Sequence, residues 1–180
     1  MRRRPAFARA RSVLRYDEGS RELILAFKHG DRTELAVTLG SWMVRTGARL
    51  VEECDAVVPV PLHRRRLFLR RFNQSALLAY GAMSGKRGPP ILPGALQRRR
   101  NDPTQSGRSA AARRANVASA FMVPRRYRDR LAGQQILLID DVSATGATVN
   151  ACANTLLGAG VREVSVLTLC RVVRGNSYSI

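Results

Sequence analysis

The sequence predicts an α/β protein with a central, mainly parallel sheet flanked by helices. Three short runs rich in apolar residues predict strands, and the four consecutive branched residues of 136–139 predict a strand that is covered on both faces. Segments with helical spacing of apolar residues alternate with these runs, and that alternation is typical of a parallel sheet. The predicted strands are residues 56–58, 136–139 and 164–169, and the predicted helices are residues 20–29, 33–46, 73–80 and 147–157.

The first fifty residues are predicted to be mainly helical. Leu23, Ile24 and Phe27 share one face of the first helix, and Gly30 ends it. The second helix carries a stripe of core residues and ends at Gly47. We therefore expect a single domain, in which residues 1–50 form a small N-terminal helical region and residues 51–180 form the core.

The remaining elements are expected in the following order. Pro59 closes the first predicted strand, a basic loop extends to Phe72, and Asn73 caps the next helix. Short extended pieces are expected at 91–92, 96 and 120–123, and a polar loop at 101–107 precedes a helix at 109–115. Either Gly158 or Gly160 ends the helix that leads to the last strand.

Composition excludes several classes of protein. With 180 residues and 45% hydrophobic content, the chain has enough apolar residues for a core. No run of about eighteen apolar residues occurs, so no transmembrane helix is predicted. Three widely spaced cysteines (Cys54, Cys152 and Cys170) form no metal-type pair, and the two histidines add no cluster. We expect a cytoplasmic protein with reduced thiols and no dedicated metal site.

The net charge of +18 raises the question of nucleic-acid binding. Nearly all basic residues are arginines, since Lys28 and Lys86 are the only lysines. The base composition of a gene can produce such a bias, and then part of the charge carries no functional information. The total charge therefore leaves nucleic-acid binding open.

The most informative segment, residues 136–148, joins a buried strand to two acids and a loop of small residues. Asp140 and Asp141 come directly after the strand, where open α/β sheets bind ligands. The following loop precedes a helix, and N–H groups at the start of a helix favour an anion. Carboxylates suit sugar hydroxyls or a metal ion, and the loop suits a phosphate. The segment therefore predicts a site for a phosphorylated sugar.

Other motifs explain this segment less well. A P-loop requires a lysine that is absent, and a dinucleotide fingerprint requires three glycines where only Gly146 is present. A receiver domain would need most of its length after Asp141. If the segment has no binding function, the two acids are solvated residues of a turn.

The segment resembles the 5-phosphoribosyl-1-pyrophosphate (PRPP) signature of type I phosphoribosyltransferases. The resemblance implies that the two acids, Asp140 and Asp141, are catalytic residues that hold the ribose 2′- and 3′-hydroxyls. It also implies that residues 51–180 are the PRPP-binding core and residues 1–50 a hood. The family often has a hydroxyl residue where Ala144 stands. The implied 5′-phosphate loop comprises Ala144, Thr145, Gly146, Ala147 and Thr148.

Two arginine-rich segments become candidates for contact with PRPP when they are considered together with this motif. Arginine donates paired hydrogen bonds to phosphate, and a PRPP enzyme needs positive groups where pyrophosphate leaves. The segment at 98–108 is interpreted as a flexible loop that closes over the reacting centre. For the first segment, residues 59–72, the alternative is an exposed basic turn. For the second, residues 98–108, the alternative is a solvated loop. The pyrophosphate-binding candidates are Arg64, Arg70, Arg71 and Asn73, and the flexible-loop candidates are Arg98, Arg100 and Gln105.

Taken together, these segments resemble the ComF family of phosphoribosyltransferase-like proteins, which is associated with competence and DNA uptake. The resemblance extends over nearly the whole chain and includes Pro59-Val60-Pro61 and Phe72-Asn73-Gln74. Arg71 stands where the family usually has glycine, and Arg108 where leucine is usual. Family members commonly begin with a four-cysteine, zinc-finger-like segment. The sequence lacks it, either through loss or because the recorded start lies downstream of the true one.

The resemblance implies transfer of phosphoribose to a nitrogenous acceptor with release of pyrophosphate, and Mg²⁺ carried by PRPP. Two alternatives stay open. One is a non-catalytic accessory protein of competence that binds single-stranded DNA or another competence component. The other is a PRPP sensor that binds the ligand without turnover. The motifs identify neither the acceptor base nor the oligomeric state.

Overall fold

The computed structural model describes residues 4–29, 32–62, 72–85, 88–99 and 120–173. These residues form six strands and six helices. The strands are β1 (Arg9–Arg15), β2 (Ala56–Pro59), β3 (Gln97–Arg98), β4 (Phe121–Met122), β5 (Gln135–Ser143) and β6 (Glu163–Arg171). The helices are α1 (Glu18–His29), α2 (Leu35–Thr46), α3 (Ala48–Glu53), α4 (Gln74–Met83), α5 (Arg125–Leu131) and α6 (Ala147–Leu157).

Four strands form the central sheet in the order β1-β6-β5-β2, and every pairing is parallel. The two middle strands have the most continuous apolar sequence, because both of their faces and both of their edges are covered. Ile139 pairs with Leu167 in this register, and both side chains are fully buried. The predicted α/β architecture with a mainly parallel sheet is confirmed.

Strand β1 was not predicted from the sequence. Arg9, Arg11 and Arg15 interrupt its apolar residues, which hides the alternation of a strand. The strand lies at the edge of the sheet, where charged side chains can reach water. It is joined to β6 by parallel pairing and by a 2.7 Å hydrogen bond between the hydroxyls of Ser12 and Thr168. Residues 1–50 thus contribute a strand to the central sheet as well as helices. The division of the domain into an N-terminal region (1–50) and a core (51–180) stays a prediction.

Two apolar clusters cover the two faces of the sheet. One contains core residues of α1, α2 and α4, including Phe27 and Leu78, packed with Leu137 and Ile139 of β5. The other contains residues of α5, α6 and the β3–β4 pair, packed with Ile136 and Leu138 of the same strand. Alternate residues of β5 therefore serve opposite faces, as the pleat of a strand requires.

Helices α2 and α4 cross at unusually close range through two glycines. A Cβ atom on Gly40 would overlap the backbone of Gly81 and Ala82, and one on Gly81 would overlap the backbone of Ala36. Only glycine permits this approach of the two backbones. The crossing fixes the position of α4 relative to the sheet.

The shorter elements follow the predictions in part. Ile91 bridges to Val57, and β4 falls within the predicted extended segment 120–123. Helices α3 and α5 were not predicted. The predicted loop at 101–107 and helix at 109–115 lie outside the described residues. Within the described part of the chain, no helix is long and apolar enough to cross a membrane.

Candidate functional site

The candidate site lies at the carboxyl edge of the sheet, where β5 ends. Strand β5 stands between β6, which follows it in the chain, and β2, which precedes it. The connection that leaves β5 runs through α6 on one face of the sheet, and the connection that leaves β2 runs through α4 on the other face, which opens a crevice between the carboxyl ends of these two strands. Asp140 and Asp141 lie in the last part of this strand, which continues to Ser143, whereas the sequence predicted that they follow the strand directly.

Asp140 is the more deeply buried acid, with 7% of its surface exposed. Its carboxylate accepts hydrogen bonds from the Ser75 hydroxyl at 3.2 Å and from the Asp141 backbone N–H at 3.0 Å. Burial and the neighbouring negative charge of Asp141 raise the pKa of Asp140 above its ordinary value. Asp140 is therefore an interior acid that is fixed by helix α4.

Asp141 is partly exposed and carries an ion pair that the sequence did not predict. One carboxylate oxygen lies 2.9 Å from the ammonium of Lys28, and the other accepts the Val142 backbone N–H at 2.7 Å. Less than a fifth of either side chain is exposed. Lys28 follows the buried Phe27 near the end of α1, so packing of that helix sets the position of the ammonium.

Lys28 was missed because it lies more than a hundred residues from Asp141 in the chain. The available signal was its identity, since it is one of two lysines in a chain with 31 basic residues. An ammonium differs from a guanidinium in being a compact point charge. A lysine within an arginine-rich chain therefore indicates a position with specific requirements.

The predicted phosphate loop joins β5 to α6 and is open to solvent. Ala144, Thr145, Ala147 and Thr148 are exposed. Gly146 has φ of 76°, a left-handed conformation that favours glycine, and a Cβ atom there would meet no atom within 4 Å. The N–H of Ala147 is held only by a 3.3 Å bond to the Thr145 hydroxyl. The start of α6 thus presents backbone donors beside the two acids.

Asn73 caps α4, as predicted, and its amide takes part in two structural bonds. Its side-chain oxygen accepts the Ser75 N–H at 3.0 Å, and its nitrogen donates to the carbonyl of Val60 at 3.1 Å. These bonds hold the segment after β2 against the helix that carries Ser75. The pyrophosphate role of Asn73 stays a prediction, and the observed contacts make it a positioning residue.

Arg98 belongs to the short strand β3 and not to a loop, which corrects part of the flexible-loop interpretation. Its guanidinium lies 5.6 Å from the centre of the Phe121 ring. Burial raises the pKa of the Cys152 thiol, while the charge of Arg98 acts in the opposite direction. A role of Arg98 toward substrate stays a prediction.

The other predicted arginines and the glutamine lie outside the described residues. They are Arg64, Arg70, Arg71, Arg100 and Gln105.

The described residues contain no group of three or more His, Cys, Asp or Glu side chains that could hold a metal ion. The carboxylates of Asp140 and Asp141 are oxygen donors of the kind that Mg²⁺ prefers. However, Asp140 is buried and Asp141 is paired with Lys28. This pair suits contact with a ligand better than enclosure of a resident ion.

Comparisons with curated proteins identify close relatives. Competence protein F of Haemophilus influenzae is 34% identical over 117 residues, which cover 65% of this chain and 50% of that protein. DNA utilization protein YhgH of Escherichia coli (strain K12) is 33% identical over 177 residues, which cover 94% of this chain and 74% of that protein. The chain thus spans half the length of one relative and about three quarters of the other. No protein-family model matches the chain.

Comparison with solved structures identifies the fold. The glutamine PRPP amidotransferase from B. subtilis, complexed with ADP and GMP, matches with a TM-score of 0.54 and 22% identity. The match covers 79% of this chain and 30% of the amidotransferase. At this identity the similarity shows the fold alone. The relatives above show that the chain belongs to the ComF family, which includes competence protein F and YhgH, and the structural match shows that it has the type I phosphoribosyltransferase fold.

Proposed function

We propose that this protein binds PRPP at the carboxyl edge of the sheet and transfers phosphoribose to a nitrogenous acceptor. The observation that carries the proposal is the contiguity of Asp140, Asp141 and the open start of α6. Carboxylates recognise hydroxyl groups, and helix N-termini recognise phosphate. A ribose 5-phosphate presents both groups on one small molecule.

In this proposal the 5′-phosphate binds to the N–H groups at the start of α6. The ribose hydroxyls donate to Asp141, whose carboxylate has about four lone-pair sites and can keep Lys28 as a partner. Asp140 holds the Asp141 backbone and connects it to Ser75. Lys28 and Ser75 therefore act as positioning residues for the acid pair.

The proposed reaction breaks the bond between ribose C1 and pyrophosphate and forms a bond from C1 to the acceptor nitrogen. The leaving group keeps the electron pair of the broken bond, and positive charge develops on the sugar. Negative groups held near the ribose stabilise that charge. Mg²⁺ carried by PRPP would neutralise part of the charge of the diphosphate. Positioning and electrostatics supply most of the catalysis.

Isothermal titration calorimetry with PRPP and Mg²⁺ tests the binding. We expect Asp141→Asn to weaken binding about 100-fold, because a neutral amide replaces a charged acceptor held in a partly buried site. Asp129→Asn, on the exposed surface of α5, is the matched control and should bind as the wild type does. Equal binding by the Asp141 variant, or no heat with the wild type, would contradict the proposal.

Pyrophosphate release separates a transferase from a sensor. The wild type is incubated with PRPP, Mg²⁺ and a panel of nitrogenous bases, and pyrophosphate is measured over time. Release that depends on a base and is lost in Asp141→Asn supports transfer. PRPP binding without release from any base supports the sensor.

A second candidate is an accessory protein of DNA uptake that binds single-stranded DNA. Its support is the names of the relatives, one a competence protein and the other a DNA utilization protein. A second support is the net charge of +18. Oligonucleotide binding that weakens as salt rises would support it.

A further inference from the structure

A second concave surface lies away from the acid pair. It is a cleft of about 430 Å³ between β4, α5 and the last turns of α6. Its lining includes Phe121 and Met122 of β4, and 38% of the Met122 surface is exposed. Arg99 and Arg128 also line it. The cleft therefore combines an apolar floor with two cationic side chains.

The cleft is separate from the proposed PRPP site. Asn154 and Thr155 line it from α6, while the acid pair and the phosphate loop lie at the other end of that helix. Eight residues separate Ala147 from Thr155, which is about 12 Å along a helix. A ligand in the cleft can therefore bind without occupying the start of α6.

Arg99, Arg128 and the other arginines of α5 form no ion pair with an acidic side chain among the described residues. The ion pairs in the described part of the chain involve Arg9, Lys28, Arg32 and Arg49. Helix α5 has one acid, Asp129, and all its arginines are exposed. Unmatched charges concentrated beside a cleft indicate a polyanionic ligand. The α5 arginines are Arg125, Arg126, Arg128 and Arg130.

We propose that this cleft is a binding site for single-stranded nucleic acid, with phosphates against Arg99 and Arg128 and one base over Met122. The inference deepens the second candidate function and rests on it. The volume falls within the range of roughly 300–1,000 Å³ that holds small molecules, so the cleft accommodates a single nucleotide. Arginine forks bind phosphate, and guanidinium planes stack on bases.

The cleft predicts weak sequence preference. Phe121 is 4% exposed and one face of its ring lies against Arg98, so the cleft offers little aromatic surface for stacking. The side-chain nitrogen of Asn154 donates one N–H to the carbonyl of Asn150, which leaves its second N–H as a donor and its side-chain oxygen as an acceptor. A single amide group distinguishes few bases. Affinity should therefore depend mainly on phosphate contacts and on salt.

Fluorescence anisotropy with a labelled oligo-dT of about 15 nucleotides tests the site. Arg99→Ser with Arg128→Ser should weaken binding roughly tenfold and reduce the slope of log K against log salt by about 1.4. Arg21→Ser with Arg45→Ser removes the same charge from exposed positions elsewhere and is the matched control. Arg99→Lys with Arg128→Lys keeps the charge and should retain the salt slope.

The possible results distinguish a failure of the cleft proposal from a failure of single-stranded DNA binding or of PRPP binding. Absence of oligonucleotide binding by the wild type at low salt would overturn the second candidate together with the cleft. Binding that falls equally in the cleft and control variants would overturn the location alone. Equal affinity for a duplex, or equal competition by polyglutamate, would show that the cleft does not select single strands. PRPP calorimetry on the single variant Arg128→Ser should be unchanged, and loss of PRPP binding in this variant would contradict the separateness of the two sites.

Discussion

The carboxyl edge of the sheet and the α5 cleft use positive charge in opposite ways. At the edge, one lysine is shielded from solvent and joined to one acid at 2.9 Å. At the cleft, exposed arginines have no ion-pair partner in the described part of the chain. A paired, half-buried charge fixes the geometry of its neighbour, whereas unmatched exposed charges attract a distant polyanion. Net charge alone distinguishes neither role.

The sharpest test of the edge uses the pH dependence of stability. The pKa of Asp140 is raised from 3.8 to about 8 in the folded protein. The unfolded chain therefore loses this proton at lower pH than the folded chain, and the contribution to stability is lost as pH rises from about 4 through about 8. The slope from one group is at most about 1.4 kcal/mol per pH unit.

Asp140→Asn removes this titration while keeping a side-chain oxygen for the Ser75 and Asp141 bonds. Relative to the wild type, the variant should gain stability steadily between pH 4 and pH 8 in urea denaturation. Asp129→Asn at the exposed position should show no such trend. A difference between wild type and Asp140→Asn that is constant across this pH range would show that Asp140 titrates normally.

Loss of the lysine at the edge should have the next largest effect. Lys28→Met leaves the partly buried carboxylate of Asp141 without its cation beside a second acid. We expect the free energy of unfolding to fall by about 2 kcal/mol, less than for a fully buried pair. Urea denaturation measures the change, and Lys28→Arg should recover much of it. A Lys28→Met variant as stable as the wild type would show that the ion pair with Asp141 does not stabilise the fold, which contradicts this side of the comparison.

The smallest effect is expected in α5. Arg125 is exposed and has no ion-pair partner among the described residues, so Arg125→Met should change the free energy of unfolding by less than about 0.5 kcal/mol. The same urea denaturation measures it. A cost as large as that of Lys28→Met would mean that the α5 arginines stabilise the fold and are not reserved for a ligand.

The predictable parts of this molecule are those with local signals. The apolar run of β5, the two acids and the small-residue loop lie within thirteen consecutive residues, so their order in space follows from their order in sequence. The cap at Asn73 was predicted for the same reason. The second bond of that amide, to Val60, required the three-dimensional structure.

The parts that were missed depend on distant segments or on edges. Strand β1 is stabilised by β6, which lies about 150 residues later, and its arginines hide it in the sequence. Helix α5 has four arginines in seven residues and only Leu131 fully buried, so it has almost no apolar periodicity. The pair of Lys28 with Asp141 arises only when α1 packs over the sheet. Pairings of this kind require the folded topology.

The glycine crossing of α2 and α4 links the geometry of the acid pair to a contact between two helix backbones. Helix α4 carries the hydroxyl that holds the interior acid, and its height above the sheet is set where Gly40 meets Gly81. A single methyl group added at that crossing would lift the helix and displace the hydroxyl. Any redesign of the proposed site must therefore keep glycine at both positions of this crossing.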